Sequence, residues 1–140
     1  MGSPQIKIAF RIISEAVATE ELVKALPLPP DGKWSIGETR GRTIIKEVNN
    51  GIEYRSQITG SGTLNSEVNK LLLRLAPLFP AIDSLPLTCK KHLSCVIYSA
   101  NTLELSLDET AITRLAGCKA SIDIDLYQFD TDDTVTSRLN

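Results

Sequence analysis

The sequence predicts an α+β domain. The expected architecture is a mixed, mainly antiparallel sheet of about five strands with helices on one face, in the order β-α-β-β-α-β-α-β around a ferredoxin-like split β-α-β core. Three observations carry this expectation. Residues 5–13 and 120–127 alternate apolar and polar with a period of two, which gives each of two strands one apolar face. Residues 65–82 repeat apolar positions at three- and four-residue spacing, the stripe of a helix lying on a core. Residues 106–117 open on hydroxyl and acidic residues and stop on a glycine, the punctuation of a second helix.

Along 5–13, Ile6, Ile8, Phe10 and Ile12 form a core face, with Lys7 and Arg11 opposite. Thr19 is placed to cap a short helix with Glu20 and Glu21 in its first turn, Leu22, Val23 and Leu26 beneath it, and Pro27 as its stop. Residues 27–43 hold three prolines and three glycines, too many for regular structure. This loop carries the lone tryptophan, Trp34, with Lys33, Arg40 and Arg42 nearby. Trp and Arg dominate binding hot spots; the plainer alternative folds Trp34 back as a lid over one end of the core. Residues 43–48 and 52–59 flank Asn49-Asn50-Gly51, and Asn-Gly is a hairpin signal because both residues accept positive φ. In the second of these strands Ile52, Tyr54 and Ile58 point one way, and Glu53, Arg55 and Gln57 the other.

The helix over 65–82 presents Val68, Leu71, Leu72, Leu75, Leu78 or Phe79, and Ile82, with Pro77 kinking it or opening a second short helix. Residues 87–98 read as a strand with Leu93, Cys95 and Ile97 inward and His92, Ser94 and Tyr98 outward, which makes Cys95 an inert core residue. Ser106-Leu107-Asp108-Glu109 fits a capping box. Ile112, Leu115 and Ala116 then supply the buried stripe, and Gly117 the left-handed stop. The run 120–127 is expected at the centre of the sheet, with Ile122, Ile124 and Leu126 under the helices and Ser121, Asp123, Asp125 and Tyr127 on the other face. Asp is depleted in strands, so Asp123 and Asp125 have two readings. One is a general acid/base or metal pair; the other is a solvated or cross-strand-paired face. Residues 130–140 are polar and acidic and are expected to fray, so 1–140 reads as a single domain.

Composition narrows the function. A net charge of −2 leaves no basic stripe to release counterions, so nucleic acid is not expected as a partner. No apolar run reaches the roughly 20 residues of a membrane span. Three cysteines without C-x-x-C spacing suit a reduced cytoplasmic setting. Cys89, His92 and Cys95 match no zinc-ligand spacing, and no phosphate loop, nucleophile elbow or H-E-x-x-H motif occurs. No cofactor is expected.

These pieces together resemble a bacterial and phage family catalogued only as domain of unknown function four-two-seven-nine. The matching features cover nearly the whole chain. They are the alternating first strand, the loop with Pro30, Trp34 and Gly37, the leucine-rich helix before Pro77, Leu93-Ser94-Cys95-Val96-Ile97-Tyr98, Leu105-Ser106-Leu107-Asp108-Glu109 and, most specific, Asp123-Ile124-Asp125-Leu126-Tyr127. The resemblance implies a fold and no activity. Small bacterial domains of this sort look like accessory, regulatory or toxin-neutralising proteins, an association that names no mechanism.

The function expected is therefore a non-enzymatic protein-binding module, in its specific form an immunity-type protein that occupies a toxin's active surface. Trp34, Arg40, Arg42, Asp123 and Asp125 are the expected partner-binding residues. Two alternatives stand beside it. One is a metal-dependent hydrolase using Asp123 and Asp125 with Glu104 or His92. The other is a homodimeric regulatory subunit joined through the open sheet face.

Overall fold

A computed structural model describes residues 5–56, 62–99 and 105–128. The chain runs β1 (Gln5–Ser14), α1 (Thr19–Ala25), β2 (Gly32–Trp34), β3 (Asn50–Arg55), α2 (Leu64–Leu75), a 3-10 turn (Ala76–Leu78), α3 (Phe79–Asp83), β4 (Lys90–Ser99), α4 (Glu109–Gly117) and β5 (Ser121–Gln128). The fold class and element order are those the sequence predicts. The sheet order is β2-β3-β1-β4-β5. β3 and β4 both run antiparallel to β1, which lies between them, and α2 joins them; this is the split β-α-β unit. α4 then crosses over to place β5 parallel beside β4, as a helix-length connection allows.

The core lies on one face of the sheet. Ile6, Ile8, Phe10 and Ile12 of β1, Ile52 and Tyr54 of β3, and Leu93, Cys95 and Ile97 of β4 meet the helices. Leu22 and Leu26, the α2 stripe Leu64, Val68, Leu71, Leu72 and Leu75, then Leu78, Ile82, Ala111 and Leu115 complete one buried cluster. Pro77 sits in the 3-10 turn that ends α2, and Pro80 lies in the first turn of α3, where a missing N–H and a fixed φ are tolerated. The Tyr54 hydroxyl crosses this layer to donate to the Leu28 carbonyl at 2.6 Å. Burial pushes that phenol up to about 12.

Several expectations fail locally, each for a physical reason. The run at 120–127 is not central: β5 is the sheet's edge, and Ile124 and Leu126 remain 42% and 45% exposed. β1, flanked on both sides, holds the centre. The hairpin is also displaced. Residues 43–48 form no strand, and the strand that precedes β3 in the chain and pairs with it is β2, inside the stretch expected to be irregular. The chain reverses instead at Arg40–Thr43, where the Thr43 amide donates to the Arg40 carbonyl at 3.1 Å and Gly41 takes a φ of 61°. Asn50 and Gly51 are strand residues opposite Ser14 and Ile13.

The caps move as well. Thr19 is the first residue of α1 rather than its cap, and its hydroxyl donates to the Trp34 carbonyl at 2.6 Å. The cap of α4 is Asp108, whose Oδ1 accepts from the Ala111 amide at 2.9 Å, and not Ser106. The left-handed residue after α4 is Lys119 (φ 57°), not Gly117. The Lys119 and Ala120 amides bond the Ala116 and Leu115 carbonyls at 3.0 and 2.9 Å, the paired bonds of a Schellman stop. The expectations for Gln57, Ile58, Glu104 and the tail 130–140 lie outside the described residues.

Candidate functional site

The face of the sheet opposite the helices carries the side chains that alternate with the core set. Register fixes the list. Trp34 lies against Gly51, and Gly51 against Ile13. Arg11 lies between Glu53 and His92. Ser94 and Val96 lie beside Asp123 and Asp125, and Tyr98 beside Tyr127. No described helix covers this face, because all the described helices contribute to the single core on the other side.

Its charges are arranged by position. Near the middle, Glu53 is buried although it faces away from the core. Arg11 Nε donates to its Oε1 at 3.0 Å, and Arg55 Nε binds Oε2. The two guanidiniums share this one carboxylate, so that part of the face keeps one net positive charge. Toward β5, His92 Nδ1 is hydrogen-bonded to Ser121 and stands 4.0 Å from an Asp123 carboxylate oxygen. Asp123 is 70% exposed on its side chain, and Asp125 makes no ion pair among the described residues. At the far end the Tyr98 and Tyr127 rings stack with centroids 5.2 Å apart, and Lys7 Nζ lies 5.7 Å from the Tyr98 ring centre.

The loop between β2 and β3 closes the other side. Its two arms are tied by Gly37 and Glu47 amides donating to the Glu47 and Glu38 carbonyls at 2.9 and 2.8 Å. Arg40 grips Glu47 through two 3.1 Å bonds, a forked geometry that fixes the guanidinium plane. Asn50 anchors the loop base: its Oδ1 accepts from the Ile36 amide and its Nδ2 donates to the Val17 carbonyl, both at 3.0 Å. The Trp34 indole rests on Gly51, where a Cβ would collide with the ring. Trp34 is therefore neither a lid on the core nor a free side chain. It is a half-buried wall on the open face.

Between this loop and β5 runs a groove of about 410 Å³, whose lining includes Trp34, Arg40, Glu47, His92, Asp123 and Asp125. Four of the five residues predicted for partner binding thus come together. Arg42 does not; it sits exposed at the loop tip. Glu47 and Asn49 were hidden from sequence reasoning by the misplaced hairpin. Ile13 and Ser94 were legible from strand alternation alone. A larger groove of about 640 Å³, beside α2, is lined by Asp31, Arg55, Lys70 and Arg74 among others. Its charges are already matched. Arg74 reaches Asp31 at 3.3 Å and the Arg55 carbonyl at 2.9 Å, and Lys70 reaches Glu67 at 3.3 Å. The amide of Arg55 holds the Asp31 carboxyl below the usual range.

Cys89, Cys95 and Cys118 are all buried free thiols, and burial, aided by the charge of Asp123, pushes Cys95 up to about 12. A thiol in that state is no nucleophile near neutral pH. Among the described residues no group of three or more His, Cys, Asp or Glu side chains is placed to hold a metal ion. No described helix is long and apolar enough to cross a membrane.

A family model described as a domain of unknown function (DUF4279) matches residues 4–129. No curated protein and no solved structure matches the chain.

Proposed function

We propose, from the premise that the chain belongs to the DUF4279 family of domains of unknown function, that it is a non-enzymatic protein-binding module seating its partner on the open sheet face. The observation that carries this reading is the single groove joining Trp34, Arg40, Asp123 and Asp125. An indole held flat by Gly51 offers rigid apolar area, which binding hot spots favour. A fixed guanidinium and exposed carboxylates flank it, giving both signs of charge within one footprint. Such charges steer encounter and set register more than they add affinity.

The specific form of the proposal is an immunity-type protein whose partner is a toxin domain. The support is the acidic β5 side of the groove: exposed carboxylates there match the basic surface a nuclease uses for phosphates. Nothing in the arrangement favours the metal-dependent hydrolase, since Asp123 and Asp125 gather no third ligand among the described residues.

The test is capture from the native host with the wild-type chain, Trp34→Ala, and Asp123→Asn combined with Asp125→Asn. One stoichiometric partner held by the wild type and weakened by both changes is the expected result. Association with that partner should also slow with added salt for the wild type and respond less for the double variant. An unchanged association rate in the double variant would remove the aspartates from the interface.

A further inference from the structure

We propose that the outer edge of β5 is a docking edge for an extended strand of the partner, one that alternates basic and apolar residues; this rests on the protein-binding reading above. β5 closes the sheet order, and among the described residues no strand pairs with its outer side. It is eight residues long. Sheet proteins blunt such edges by shortening, bulging, covering or charging them, because unpaired N–H and C=O groups recruit another strand; on β5 the charges are Asp123 and Asp125. Only Ile122, at the start of β5, packs against the core; beyond it both faces stay open among the described residues, with Ile124, Leu126 and Tyr127 42%, 45% and 53% exposed.

The side chains say which strand would fit. On the open face an added strand meets Asp123, Asp125 and Tyr127; on the helix face it meets Ile122, Ile124 and Leu126. Cross-strand neighbours on one face stabilise when charges oppose and destabilise when they match. Lysine or arginine is therefore wanted opposite the two aspartates, and aliphatic residues at the alternating positions. The same rule disfavours a second copy of this chain. A two-fold antiparallel pairing of β5 with itself keeps the open faces together, so the registers that overlap the acidic pair set aspartate against aspartate. Asp123 and Asp125 thus repel self-association while selecting a basic strand, attraction and exclusion by the same groups. Strand addition of this kind draws affinity from the main chain and specificity from alternate side chains.

The experiment uses the full chain and synthetic strands of alternating valine and lysine. Binding is read by fluorescence anisotropy, and the binding place by hydrogen exchange of the β5 amides. The lysine strand should bind, slow exchange along β5 and weaken with salt. A valine–glutamate strand should bind weaker by roughly tenfold or more, a difference of about 1.4 kcal/mol. Asp123→Lys with Asp125→Lys should reverse that preference, and N-methylation along one edge of the lysine strand should abolish binding. Equal binding of the N-methylated strand, or β5 amides left unprotected, overturns the proposal. If no strand binds while the captured partner is still lost with Asp123→Asn/Asp125→Asn, the edge reading fails and the face reading survives. If partner capture ignores those aspartates, the face reading fails too.

Discussion

At Gly51 a Cβ would run into the indole of Trp34. The glycine is present for that close approach, not for a turn; it sits inside β3, opposite Ile13 and Trp34. Gly51→Ala should therefore lift the indole off the sheet or push β2 aside, costing about 1–3 kcal/mol as over-packing does. Trp34 is the only tryptophan, so its fluorescence reports the change directly. We expect a lowered melting temperature and a red-shifted emission; an unchanged emission maximum would mean that the ring does not rest there. Asn-Gly was legible in the sequence, but only as the short-range signal it usually is. Its strand pairing comes with a ring arriving from β2, and local propensity holds no record of that. Glu53 carries the same lesson. Alternation correctly put Arg11 and Arg55 on the open face, yet not that one buried carboxylate would take both guanidiniums.

The helix α4 shows how element ends are decided by neighbours. Ser106 and Glu109 have the spacing of a capping box, but Asp108 caps the helix because α2 holds it in place. Asn65 Nδ2 donates to Asp108 Oδ2 at 3.0 Å, Asn65 Oδ1 accepts from the Asp108 amide at 2.8 Å, and Asn69 adds a longer bond. The Ala111 amide and then the two asparagines hold the Asp108 carboxyl below its usual range. A carboxyl depressed in the native state stabilises above its unfolded pKa, and that stability is lost as pH falls through the native value. Asp108→Ala should lower the melting temperature at neutral pH, with the deficit shrinking as acidification protonates the carboxyl in the native state as well as in the unfolded chain. A deficit that stays constant with pH would assign the loss to packing. At the other end of α4, Lys119 holds a left-handed φ that costs a non-glycine residue about 1–2 kcal/mol. Gly117 lies in the helix with nothing within 4 Å of a built Cβ. Lys119→Gly should stabilise by about 1 kcal/mol, and Gly117→Ala by a similar amount. A melting temperature unchanged in both variants would show that this stop is not strained.

For the whole molecule, strand order sets the gradient of stability. The alternating and helical patterns revealed most of the core, but Ile112, Ala116, Ile124 and Leu126, expected inside it, are exposed, and α4 buries Ala111 with Leu115. They did not reveal which strand is central, because period and length describe a strand's two faces and say nothing of its two edges. The overlooked signal was Asp123 and Asp125 themselves: charge along a strand is how sheets protect an edge. β1 is paired on both sides, with β3 and β4, and its inward side chains are buried throughout. β5 is paired on one side among the described residues and is exposed on both faces. Local opening draws on regions with few buried apolar contacts and solvent-exposed backbone bonds. Native-state hydrogen exchange should thus find β1 amides opening only with global unfolding, and β5 amides opening well below that free energy. Asp123→Asn with Asp125→Asn should leave the β1 rates unchanged, since neither carboxylate supports the core. A strand partner bound at the edge should slow β5 exchange by the ratio its binding predicts, ligand concentration over dissociation constant. If β5 already exchanges as slowly as β1 in the free chain, its edge is occupied within the molecule, and a partner strand has nowhere to add.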